Sequence, residues 1–200
     1  TNVKTRGVFG EVQLSALLEQ MLSPEQYEVN VKTRPKGTEF VEFAIKLPGK
    51  NDGIKCVYLP IDAKFPKDIY EKYLDAHENG DLGCISIASH QMEQIVKRMA
   101  RDIHDKYLEV PYTTDFAIMF LPFENIYAEV IRRTALVEYV QRKYHVIVTG
   151  PTTLGAILTS LQMGFRTLAI EKRSSEVWTV LAAVKTEFGK FGGMLEKVQK

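Results

Sequence analysis

Asp62 and Lys64 stand two apart in Tyr58-Leu59-Pro60-Ile61-Asp62-Ala63-Lys64-Phe65-Pro66, a short apolar run with one acid and one base in its interior. Alternate side chains of a strand share a face, so the acid and the base point together while Leu59, Ile61, Ala63 and Phe65 point the other way into packing. A charge on a mostly buried strand is costly unless it is paired or used. Upstream, Phe40-Val41-Glu42-Phe43-Ala44-Ile45-Lys46-Leu47 is a second extended segment with an acid inside it, and Pro48-Gly49-Lys50-Asn51-Asp52-Gly53 between the two is made of turn formers. The hairpin these segments predict makes Glu42, Asp62 and Lys64 candidates for one shared site. Two carboxylates 4 Å apart repel by about 4 kcal/mol at an effective dielectric near 20. A divalent cation removes that cost. Mg²⁺, or Mn²⁺ in its place, takes oxygen ligands and keeps waters, so Glu42, Asp62 and the Ala63 carbonyl form a candidate ligand set. Lys64 is then suited to orienting a water and offsetting charge on a phosphoryl oxygen.

The elements that must hold these residues follow from periodicity and stop signals. Gly10 to Met21 reads as a helix with Val12, Leu14, Leu17, Leu18 and Met21 on its apolar face, Glu11 in its first turn, and Ser23-Pro24 ending it. Tyr27 to Val31 is the first strand. The turn after it carries Lys32, Arg34 and Lys36, which suit either phosphate contact or ordinary surface solubility. Lys67 to His77 is a helix with Ile69, Tyr70, Tyr73 and Leu74 inward. Leu82 to Ala88 reads as an irregular connection, after which Ser89 caps a long helix from His90 to Tyr107. Asp115 to Leu121 is a central strand buried on both faces. Phe123-Glu124-Asn125 opens the next helix, a short helix spans Ala135 to Lys143, and Val146 to Thr149 is a further strand. Pro151 then suits the first turn of a helix and Gly164 its end. This order predicts an α/β fold with a mixed sheet flanked by helices. From Val177, residues Leu181, Val184, Phe188, Phe191, Leu195 and Val198 recur at steps of three and four, a heptad seam for a partner helix and a route to a homo-oligomer.

Two hundred residues that are 45% hydrophobic suffice for one domain with a full core. A net charge of +1 leaves no global basic field, so nucleic-acid binding would need a local patch. Cys56 and Cys84 lie in apolar segments without metal-ligand spacing, which predicts buried free thiols and a reducing, cytoplasmic compartment rather than a disulfide frame or a zinc site. No apolar run approaches the roughly 20 residues that span a bilayer, so membrane contact by this segment is not expected.

An acid on one strand followed by Asp-x-Lys on the next resembles the PD-(D/E)xK nuclease superfamily. A more specific resemblance rests on Gly7-Val8-Phe9-Gly10-Glu11, Leu59-Pro60-Ile61-Asp62-Ala63-Lys64-Phe65-Pro66, Lys106-Tyr107, Met119-Phe120-Leu121-Pro122-Phe123-Glu124 and Pro151-Thr152-Thr153-Leu154, in this order. Together these look like the RmuC family of bacterial DNA recombination proteins, over essentially the whole chain. The resemblance implies a restriction-endonuclease-like core, placed over residues 1–173, while the heptad recurrence marks residues 174–200 as a C-terminal coiled-coil-type helix. The resemblance further implies DNA as partner and a metal-dependent nuclease acting in recombination, for which Asp62, Lys64, Glu42 and Glu11 are the expected catalytic residues. Glu11 enters because enzymes of the superfamily often draw a third metal-site acid from the first helix; its alternative is a carboxylate favoured at a helix start. Glu124 carries the same two readings. The family more often has aspartate where Glu42 stands, which leaves Glu39 as an alternative ligand, and Glu42 lies deeper in its strand. The rival reading is a catalytically degenerate nuclease fold that binds DNA or scaffolds, with Asp62 and Lys64 simply paired. Relatives usually carry an N-terminal coiled coil, often with a membrane anchor, and the start at Thr1 reads as that of an excised domain.

Overall fold

A computed structural model describes residues 4–49, 56–64 and 66–168. The chain divides into two compact units, Thr1–Leu158 and Thr159–Lys200, and the first holds the sheet and the candidate site. Its elements are α1 (Lys4–Met21), β1 (Tyr27–Val31), β2 (Val41–Pro48), β3 (Cys56–Ala63), α2 (Lys67–Glu78), α3 (Leu82–Tyr107), β4 (Ala117–Phe120), α4 (Glu124–Ile131), α5 (Thr134–Tyr144) and β5 (Val146–Thr149). A further helix, α6, covers residues 151–168. The Val177 to Val198 seam and the boundary at residue 173 lie outside the described residues.

The five strands form one mixed sheet in the order β1-β2-β3-β4-β5. Strands β1, β2 and β3 are antiparallel neighbours, whereas β4 and β5 run parallel to β3 and are reached through helices. Alternation divides the side chains between two faces. Phe43, Ile61 and Ile118 are in register on one face. Asp62, Met119 and Val148 are in register on the other. Met119, Val148 and Ala44 belong to a core that includes Met92, Val96, Ala100, Ile103 and Tyr107 of α3, so α3 covers the face on which Asp62 stands. The opposite face receives α1: a Cβ built at Gly10 would lie 3.4 Å from the Ala63 Cβ and 3.5 Å from the Pro122 Cγ, so the helix backbone rests on the end of β3.

Several local expectations change. Helix α3 begins at Leu82, not at His90, because the Asp81 side chain accepts a hydrogen bond from the Cys84 N–H at 3.0 Å and caps the helix eight residues before Ser89 could. Residues 82–88, expected to be irregular, are therefore helical, and Cys84 is exposed rather than buried. Both cysteines are free. Gly164 does not end α6, which continues to residue 168 with the Thr167 hydroxyl bonded to the Met163 carbonyl. Val12 and Leu74, expected on buried faces, are exposed. The left-handed backbone of Asn30 (φ 53°) breaks the regularity of edge strand β1.

Candidate active site

Asp62 is 1% exposed, next to the last residue of its strand. The antiparallel register pairs Phe43 with Ile61 and Ala44 with Pro60, which sets Glu42 opposite Asp62 on the same face. The Glu42 Oε2 accepts the Ala63 N–H at 3.0 Å, so the carboxylate lies across the end of β3. Lys64, the first residue beyond the strand, turns its ammonium onto Asp62 Oδ2 as an ion pair. The hairpin thus unites Glu42, Asp62 and Lys64, as the period-two pattern predicts.

These charges are not at ease with one another. Burial, and then the neighbouring Asp62, push the Glu42 carboxyl from an ordinary 4.5 up to about 7, against the opposing pull of the Ala63 N–H and Lys64. Asp62 Oδ2 meets Lys64 as a charge but receives no hydrogen bond of acceptable geometry, and it is one of three buried side-chain oxygens without a donor among the described residues, with Gln13 Oε1 and Thr149 Oγ1. A buried carboxylate oxygen held only by one ammonium, beside a second, half-buried carboxyl, is a donor set of the kind a hard divalent cation takes. Among the described residues no three His, Cys, Asp or Glu side chains form a metal-holding group. Glu11 follows Gly10, which packs against Ala63 on the opposite face of the sheet from Asp62, and its charge is the weakest of the influences on Glu42. Glu42 and Asp62 are the two carboxyls of this corner that could hold a cation, with waters completing its shell.

The helix-dipole reading of Glu11 fails, because α1 starts at Lys4 and leaves Glu11 well past its first turn. Glu124 serves the fold, since its Oε1 accepts the Thr152 N–H at 2.6 Å and closes the N-terminal turn of α6. A side chain at Gly150 would collide with Tyr127 at 2.8 Å and with Glu124 Oε2 at 2.9 Å, so Gly150 makes room for that cap. In the basic turn, Lys32 and Lys36 are exposed, whereas Arg34 bonds Glu109 at 3.1 Å and the Asp105 carbonyl. Glu39 is exposed and precedes β2. One group was missed. Tyr107, whose apolar spacing in α3 marks it as packing, stands near the acids: burial, and then the charge of Asp62, push its phenol up. The adjacent Thr33, buried in the turn, donates to the Tyr107 carbonyl at 2.8 Å.

The fold and site together describe an α/β protein in which two acids and a lysine meet on adjacent strands of a mixed sheet. The chain belongs to the RmuC family, whose model matches residues 1–200. It is 54% identical over 200 residues to the DNA recombination protein RmuC homolog of Xylella fastidiosa (strain Temecula1 / ATCC 700964), covering all of this chain and 44% of that protein. It is 28% identical over 204 residues to the homolog from Chlamydia pneumoniae, with 96% of this chain and 46% of the relative covered. It is 23% identical over 209 residues to the DNA recombination protein RmuC of Escherichia coli (strain K12), with 98% and 42% covered. The chain therefore spans less than half the length of these curated relatives. No solved structure matches it.

Proposed function

We propose that this domain is a divalent-cation-dependent nuclease that hydrolyses phosphodiester bonds in DNA, built on a restriction-endonuclease-like core. The observation that carries the reading is the cross-strand pair: Glu42 and Asp62 share one face at the end of β3, Lys64 follows directly, and Asp62 Oδ2 lacks a hydrogen-bond donor. A purely structural ion pair needs Asp62 and Lys64 but not a second carboxyl whose pKa is driven up to about 7 beside them. The names of the relatives, which describe DNA recombination proteins, favour DNA over other phosphodiesters.

Under this reading Glu42 and Asp62 hold Mg²⁺ or Mn²⁺, with the Ala63 carbonyl as a further oxygen and Glu11 as a more distant acid. The bound cation supplies charge compensation at the scissile phosphate. Lys64, relieved of Asp62 by the cation, is free to donate to a phosphoryl oxygen and to orient the water that attacks phosphorus as the bond to one sugar oxygen breaks. Lys32 and Lys36, exposed on the turn after β1, are the nearby cations suited to the flanking backbone, and Arg34 serves them by fixing the turn.

The decisive experiment assays the domain with Mg²⁺ or Mn²⁺ on single-stranded, duplex and branched DNA, alongside calorimetric metal titration. Asp62→Asn, nearly isosteric but uncharged, is expected to abolish both cleavage and cation binding while the circular dichroism spectrum is kept. If the unaltered domain neither binds a divalent cation nor cuts any of these substrates, the nuclease reading falls. The Lys64–Asp62 ion pair then marks a degenerate DNA-binding or scaffolding module.

A further inference from the structure

We propose that Phe40 on one side, and Phe9 stacked on Phe123 on the other, form an aromatic platform for unpaired bases at the mouth of the Glu42–Asp62 corner, so that this site takes single-stranded or frayed DNA. This rests on the reading of the corner as a nuclease site and adds the form of DNA it takes.

The fold brings these three rings to one end of the sheet. In the strand order β2-β3-β4, Phe40 stands two residues before Glu42 at the start of β2, and Phe123 follows the end of β4. Because β2 is antiparallel to β3 and β4 is parallel to it, both fall beside the carboxyl end of β3, where Asp62 and Lys64 lie. The Lys64 N–H donates to the Phe120 carbonyl at 2.8 Å, and the Phe123 backbone lies within about 11 Å of Phe120, the most that three residues can span. Phe9 precedes Gly10, whose Cβ position is 3.4 Å from the Cβ of Ala63, the residue between Asp62 and Lys64. In open α/β sheets, ligands bind in the crevice outside the carboxyl ends of the strands.

These rings are more open than packing asks. Phe40 at 57% and Phe9 at 49% are the two most exposed phenylalanine or tyrosine residues among those described. Phe9 lies parallel to Phe123, with ring centroids 5.2 Å apart and planes 4° from parallel, while Phe123 packs against the core beneath α3. Phe123 is thus the anchored layer of a stack and Phe9 its outer layer, and a third flat ring extends such a pair by the same offset stacking. Cations stand around them: Lys64, and Lys32 and Lys36 exposed on the turn after β1. Rings interleaved with cations suit a single strand, since every base has a π-face and every nucleotide a phosphate. In a duplex those faces are covered by neighbouring base pairs, so a stacking platform works on bases that are unpaired or at a frayed end. An apolar protein partner would cover the rings but leave the cations unmatched.

The test measures fluorescence anisotropy of a labelled mixed-sequence single strand, and of the same strand paired with its complement, against the unaltered chain in EDTA, so that binding is read without cleavage. Phe40→Leu and Phe9→Leu keep an apolar side chain but lose the π-face. Each is expected to weaken single-strand binding at least about fivefold and to leave duplex binding within about twofold of the parent, whereas Phe40→Trp should hold the parental affinity. A 2-aminopurine base in the strand should be quenched on binding the parent and less so on either leucine variant. An unchanged ratio of single-strand to duplex affinity in both leucine variants overturns the proposal, as does a parent that binds neither form. Should Phe9→Leu fail to fold, because Phe9 also seats α1, Phe40→Leu alone decides, its residue lying outside any helix or strand. The two readings fail separately. A chain that grips single strands through these rings but neither binds Mn²⁺ nor cuts loses the nuclease site and keeps the platform; one that cuts with an unmoved ratio keeps the site and loses the platform.

Discussion

Lys64 neutralises a buried aspartate from a position that is still 27% exposed at the side chain, so its removal strands a charge. Breaking a fully buried pair costs about 3–5 kcal/mol, and the partial solvent access of Lys64 brings the expected loss for Lys64→Ala to about 2 kcal/mol. Mg²⁺ should restore that loss, giving this variant a larger metal-induced rise in melting temperature than the parent shows. Calorimetric scans with EDTA and with Mg²⁺ measure it, and equal rises would argue against a cation at Asp62. Glu42 makes the second residue-scale prediction. Its folded-state carboxyl is raised to about 7 by burial and Asp62, so the folded protein keeps a proton that the unfolded chain has released above an ordinary 4.5. The folded state binds more protons across that window, and stability falls as pH rises through it, by up to about 3 kcal/mol before solvent access is discounted. In EDTA the domain should melt at a lower temperature at pH 8 than at pH 5.5, and Glu42→Gln should flatten that difference. At this scale the acid–base core of the site was legible, because a period of two fixes which side chains of a strand stand together. The closeness of Tyr107 to Asp62 was not, since helical periodicity records an aromatic as packing and says nothing of which charges lie near it. Glu11 was misplaced in its helix because nothing at residues 4–9 resembles a helix interior more than a lead-in.

Among the elements, α6 and α3 show how a cap outweighs other signals. The Glu124 carboxylate at the start of α6 accepts the Thr152 N–H, and the bare Cα of Gly150 admits both that carboxylate and the Tyr127 ring. Glu124→Ala should cost about 1 kcal/mol, the usual worth of a helix N-terminal cap. Gly150→Ala should cost more, since its Cβ cannot avoid ring atoms at 2.8 Å without moving them. Urea unfolding of the two variants ranks them; DNA cleavage by Glu124→Ala at the parental rate is expected, and a loss of cleavage with intact stability would return Glu124 to the site. The strands and most helices were readable because their apolar periods are long or their ends carry proline. The start of α3 was not, as Asp81 and Ser89 are both competent caps in sequence, whereas in the fold Asp81 takes the Cys84 N–H and the Ser89 hydroxyl accepts from Arg133. Gly164 likewise ends a helix only when the following residues leave it.

The molecule as a whole carries a net charge of +1, so the proposed hold on DNA would rest on a local patch rather than on a field spread over its surface. Among the described residues no helix is long and apolar enough to cross a membrane. The heptad recurrence from Val177 to Val198 is a sequence pattern with a testable consequence, because an apolar stripe of that length is costly to leave in water. Truncation before Ser174 should shift the species towards monomer or render it insoluble. Light scattering that returns the same mass, with stability unchanged, would count against association through that segment.

The two ends of the sheet bear on what else the domain can pair with. An open strand edge is a template for another chain, and a long, straight, apolar edge invites aggregation. Here β1 is interrupted by the positive φ of Asn30, and its neighbour Glu28 carries a charge bonded to the Tyr58 hydroxyl at 2.9 Å. At the far edge, β5 has only four residues and is entered through His145, also at φ 53°. Neither border offers the run of evenly spaced amides and carbonyls that cross-chain β-pairing needs. Copies of this domain brought together at high concentration should therefore lie sheet beside sheet without fusing.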